Sequence, residues 1–150
     1  MYQHILVPLD GSPLAEQVLS HATAIIADRR QDVQITLLRA VPPIYPVPMD
    51  YSGIFTTTTD IAPDFDEDAR NYLTGIAGEL RAEGFRVDTH VSQLPAAEAI
   101  VDYAGHHSVD LIIMATHGRS GIGRWVFGSV TQKVLHITPA PMLVVRPTAE

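Results

Sequence analysis

Strand-like and helix-like stretches alternate from one end of this chain to the other, and that order restricts the fold more than any other feature. The run "HILVPLD" (residues 4–10) is short, apolar and closed by an aspartate. "GSP" follows at once, with Ser12 suited to cap a helix and Pro13 suited to begin one. Leu14, Val18, Ala22 and Ile25 recur at helical spacing and predict a helix over 13–30. "VQITLLRAV", "FRVDTHV", "VDLIIMA" and "PMLVVR" read as four further strands. Between them helices are predicted over 63–83, ended by Gly84, over "AAEAIVDYAGHH", and over "VTQKVLHI", where Ser129 and Gln132 match a capping box. Such alternation implies an α/β domain, a parallel five-stranded sheet covered on both faces through right-handed crossovers. "VDLIIMA" is the most apolar strand, and the expectation is that it lies at the centre.

One domain accounts for all 150 residues, with no internal repeat and no boundary. Residues 42–59, with four prolines and "TTTT", have no apolar period and read as an excursion. The formal net charge of −7 argues against a broad basic face for nucleic acid. Lys133 is the one lysine, while Arg119 and Arg124 fall inside a glycine-rich stretch, a local charge suited to a small anion. Cysteine is absent, which excludes disulfides, thiolate metal sites and thiol catalysis. No apolar run approaches the roughly 18 residues of a membrane span, and no leader pattern opens the chain. The expected setting is cytoplasmic, without membrane association.

In parallel sheets of this kind ligands bind beyond the carboxyl ends of strands, where the strand order reverses. Two strand ends carry unusual residues, "VPLDGS" and "MATHGRSGIGRWVFGSV". The second fits neither a P-loop nor the dinucleotide fingerprint: Lys133 is too far on, and Val126 stands where the third glycine belongs. It is not a nucleophile elbow either, since Gly118-Arg119-Ser120 is followed by Gly121 and Ile122. What remains is a strand, a glycine-rich turn and a helix start. Glycines let the backbone curl without obstructing Cβ atoms, and a helix start offers unpaired N–H groups, so together they form a phosphate cradle. The Ser129 hydroxyl can either cap that helix or meet a phosphate oxygen.

Over its whole length the chain resembles the universal stress proteins. Nucleotide-binding members share a loop of the form G-x-x-G, nine residues, then G-[ST]. Here Gly118, the nine residues Arg119 to Phe127, and Gly128-Ser129 keep that spacing, and "HILVPLDGS" and "PAPMLVVR" match as well. Ala115 stands where the first glycine of the pattern belongs; its methyl is tolerable at negative φ and obstructive at positive φ. The resemblance implies a three-layer, Rossmann-like sheet in strand order 3-2-1-4-5 and ATP as ligand, with magnesium or manganese as accompanying ion. It places Pro8, Leu9 and Asp10 near the adenosine, with the Asp10 carboxylate on a ribose hydroxyl or a metal, and Ala40 at adenine. Met114 and Ala115 would border the ribose and α-phosphate, and His117, Gly118, Arg119, Gly128, Ser129 and Val130 would surround the phosphates. Asp10 also has a plainer role open to it, organising the Gly-Ser-Pro turn.

The seven histidines contain no metal-binding spacing, and only His117 is assigned a function. No catalytic residues are assigned: without a placed general base, at most slow hydrolysis is expected. Met142–Val145 would form an apolar sheet edge, which proteins usually cover or pair. The resemblance implies a homodimer joined through it. Two alternatives stand beside a regulatory ATP site: a dimeric interaction module without nucleotide, and a cyclic-AMP sensor.

Overall fold

The computed structural model describes residues 1–43, 65–116 and 128–147. His117, Gly118, Arg119 and nearly all of the 42–59 excursion lie outside them. Five strands, β1 (His4–Pro8), β2 (Gln34–Ala40), β3 (Arg86–Ser92), β4 (Leu111–Ala115) and β5 (Met142–Val145), form one parallel sheet in the order β3-β2-β1-β4-β5. This is the 3-2-1-4-5 order of the Rossmann-like class. The helices are α1 (Pro13–Glu16), α2 (Val18–Ile25), α3 (Phe65–Ala82), α4 (Ala96–His106) and α5 (Ser129–Ile137).

Alternate strand residues supply two separate cores. Ile5, Val7, Ile35, Leu37 and Ile113 face α2 and α3, where Val18, Ala22, Leu73 and Ala77 meet them. Leu6, Leu38, Ile112 and Met114 face α4 and α5, against Ala97, Ile100, Ala104 and Val134. β4 is buried on both faces, as its apolar run requires. It is interior but not central, because β1 holds the middle position.

Local signals explain the element ends. The Ser12 hydroxyl accepts from Ala15 N at 3.1 Å and Pro13 opens α1. The helix expected over 13–30 is interrupted at Gln17, which keeps helical dihedrals (φ −59, ψ −22), so hydrogen bonding changes there more than direction. A short 3-10 turn (Ala27–Arg29) follows α2. Gly84 has φ +91, with Phe85 N donating to Leu80 O at 3.0 Å and Gly84 N to Arg81 O at 2.9 Å. Those two bonds make a Schellman ending to α3.

The far end of α4 rests on a polar cluster that sequence spacing did not show. His4 Nε2 lies 2.9 Å from the Thr36 hydroxyl, and His4 Nδ1 lies 2.9 Å from the His107 carbonyl. A carbonyl only accepts, so Nδ1 donates, and in the neutral ring Nε2 accepts from Thr36. Tyr103 stacks on His107 with ring centroids 3.9 Å apart, and His90 lies 4.8 Å from the same ring. Burial, then the neighbouring His107, hold the His90 imidazole below its ordinary pKa, opposed by Asp102. The folded chain therefore binds this proton less readily than the unfolded chain. Its contribution to stability is complete above about pH 6.5, the ordinary histidine value, and declines as pH falls below it. Urea unfolding at pH 7.5 and pH 5.5 should show a smaller difference for His90→Phe than for the wild type.

Candidate functional site

The chain leaves β1 towards α1 on one face of the sheet and leaves β4 towards α5 on the other. That divergence opens a cleft beyond the strand ends, with a volume of about 590 Å³ including its open mouth. Pro8, Leu9 and Asp10 from the end of β1, Leu38 and Ala40 from β2, and Met114 and Ala115 from β4 form its floor. Ala15 of α1, Ala96 and Ile100 of α4, and Val130 and Thr131 of α5 form its walls. Seven of the expected residues thus meet around one space: Pro8, Leu9, Asp10, Ala40, Met114, Ala115 and Val130. Gly128 and Ser129 begin the α5 wall.

Leu9 N donates to Leu38 O at 2.8 Å, and Val41 N donates to Ser92 O at 2.7 Å, so β2 keeps its ladder with β3. The next rung between β1 and β2, from Ala40 N to Leu9 O, is not made. The β1–β2 register ends at Pro8 and Leu38, so the Ala40 N–H and the Leu9 C=O lie past the last rung, at the edge of a mostly apolar cleft.

Asp10 performs the plainer task foreseen for it. Its Oδ1 accepts from Ser12 N at 2.9 Å, an Asx-type turn leading into α1. Gly11 follows at φ +86, and a Cβ there would lie 2.6 Å from Arg39 Nη1. The Arg39 guanidinium sits 4.9 Å from the centre of the Tyr72 ring, and the Tyr72 hydroxyl donates to Glu16 Oε1 at 2.8 Å. Burial, then that carboxylate, push the Tyr72 pKa upward, so the hydroxyl remains a donor. Gly11→Ala should lower stability by about 1–2 kcal/mol for the left-handed backbone alone. Denaturant unfolding of the variant reads this, and an unchanged midpoint would refute the strain.

Ala115 takes an extended conformation within β4, for Ser108 is the one non-glycine described residue with positive φ. Its side chain packs with the α2/α3 core, whereas that of Met114 belongs to the α4/α5 core. The methyl that replaces the pattern's glycine is accommodated without backbone strain.

The capping box does not form at α5. Gly128 is the N-cap, no side chain caps the helix, and Gln132 N donates to Gly128 O at 2.9 Å. Ser129 is instead the first helical residue and is exposed. The first-turn amides have no intrahelical acceptor. Ser129 and Val130 also line an adjoining hollow with Pro95 to Glu98, where Lys133 pairs with Glu98. Ala15, Leu38, Ala96, Ile100 and Thr131 were missed in the sequence. The apolar face of the 96–107 helix, already marked by Ile100, was the available signal for two of them. Among the described residues no group of three histidine or acidic side chains could hold a metal.

A five-stranded parallel sheet with a cleft at its switch point defines a Rossmann-like α/β protein. The model of the universal stress protein family matches residues 1–146, and the chain belongs to that family. Universal stress protein MJ0577 of Methanocaldococcus jannaschii is 31% identical over 158 aligned residues, covering 97% of this chain and 96% of that one. The solved structure of MJ0577 aligns with a TM-score of 0.74 at 28% identity, over 100% of this chain and 99% of that one. The universal stress protein of Archaeoglobus fulgidus in complex with dAMP aligns at TM-score 0.68 and 20% identity, covering 95% and 97%. A universal stress protein in complex with cAMP aligns at 0.69 and 19%, covering 98% of each.

Proposed function

We propose that the cleft binds an adenine nucleotide, with ATP as a regulatory ligand that is held more than it is turned over. The end of the β1–β2 ladder at the mouth of the cleft is the observation that carries this reading. The Ala40 N–H and Leu9 C=O lie past the last β1–β2 rung and offer a donor and an acceptor beside mostly apolar walls, the kind of lining a base favours. Val130 and the uncapped start of α5 supply amides and a partial positive charge for phosphates. Universal stress proteins of similar fold have been solved in complex with dAMP and with cAMP, which supports an adenine-nucleotide ligand. Among the described residues Asp10 is the one carboxylate at the cleft, so magnesium or manganese would be held mainly by the phosphates themselves. That carboxylate is engaged by the turn, which leaves it a poor general base and supports slow hydrolysis at most.

The same reading makes the protein a homodimer joined through β5. The two sheet edges differ: β3 carries Arg86, Asp88 and His90, whereas β5 is Met-Leu-Val-Val with Leu143 exposed. Charged edges resist pairing and apolar ones invite it. Thermal unfolding with ATP, ADP, AMP and cAMP, with and without magnesium, tests the nucleotide assignment. A ligand at 100 times its Kd stabilises by about 2.7 kcal/mol. No shift with any of the four would favour the interaction module, and a shift with cAMP alone would favour the cyclic-nucleotide sensor.

A further inference from the structure

Thr36 and Thr131 are the two buried polar side chains among the described residues, and a hydroxyl inside an apolar layer calls for a physical reason. Thr36 has one in its contact with His4. Thr131 is 2% exposed, lies in the first turn of α5 and lines the cleft. Its hydroxyl donates to Ala115 O at 3.2 Å, joining the end of β4 to the start of the helix across 16 sequence positions. Thr116 N donates to Val145 O at 2.9 Å, so β5 holds the strand end from its other side.

Resting on the adenine-nucleotide reading, we propose that Thr131 is a positioning residue for the phosphate half of the ligand. The hydroxyl fixes the separation between the strand end that borders the sugar and the helix amides that meet the phosphates. It acts through Ala115 O and the placement of Ser129 and Val130, without touching phosphate. The field of a helix start fades within its first turn, so a small slide of α5 along the strand end weakens phosphate contacts while the base pocket keeps its shape. The base is assigned to the part of the cleft walled by β1, β2 and α4, elements that the Thr131–Ala115 bond does not join.

Calorimetric titration of adenosine, AMP, ADP and ATP into wild type, Thr131→Val and Thr131→Ser separates this role from a merely structural one. Thr131→Val keeps the volume and removes the hydroxyl. It should bind adenosine within about twofold of wild type yet lose about tenfold for ATP, the scale of one hydrogen bond. Thr131→Ser should restore ATP binding. Equal weakening of all four ligands, unchanged ATP binding by Thr131→Val, or no recovery with serine would each overturn the proposal. Should Thr131→Val fail to fold, Thr131→Ala carries the same comparison. Wild-type protein that binds none of the four would overturn the nucleotide reading itself, and the role of Thr131 with it.

Discussion

Replacing Ala96 with tryptophan should abolish adenine-nucleotide binding and leave the fold in place. Ala96 is the first residue of α4, half-buried, and lines both the cleft and the adjoining hollow. An indole there would fill the space assigned to the ligand. At a helix start it costs little backbone energy, since propensity differences among ordinary residues stay within about 0.7 kcal/mol. Wild-type protein at saturating ligand should melt roughly 5–10 °C higher than without it, the shift that about 2.7 kcal/mol produces in a chain of this length. Ala96→Trp should melt within a few degrees of the ligand-free wild type and show no shift when nucleotide is added. A shift that survives would place the ligand somewhere other than this cleft.

Val144→Pro should convert a dimer to a monomer without disturbing the sheet. Within β5, Pro141 O and Val145 O accept from Ile112 N and Thr116 N, so the odd-numbered residues face β4. The N–H and C=O of Val144 therefore point away from the sheet, where a second β5 would pair. Proline deletes that outward donor and is tolerated on an edge strand. Light scattering should give twice the 16.4 kDa chain mass for wild type and the single mass for the variant. A wild-type protein of single mass, or a variant that remains doubled, would refute pairing through this edge.

Much of the fold was legible because the signals were local. Ser12 and Pro13 mark the start of α1, Gly84 marks the end of α3, and the apolar runs mark the strands. The interruption at Gln17 was not legible, because no glycine or proline stands there and its dihedrals remain helical. At α5 the sequence pointed to Ser129 as the cap, but Gly128, one residue earlier, takes that place. In the cleft, the ends of β1 and β4 were marked by the parallel-sheet rule, whereas Ala40 came only from the family resemblance. Ala96 and Thr131 reach the cleft only because α4 and α5 pack side by side over one face, a tertiary fact that spacing does not encode. The gathering of His4, His90 and His107 around Tyr103 has the same origin. Ala115 shows the reverse case, where a departure from a family pattern raised a steric question that one backbone angle answered.

The unlike borders of the sheet set a ceiling on assembly size. If β5 pairs with its own copy, as proposed, the charged β3 edge leaves each chain a single adhesive side. Two such sides consume one another by symmetry, and no growing end is left for fibre formation. Under that pairing, raising the concentration would fill the two-chain state and stop there.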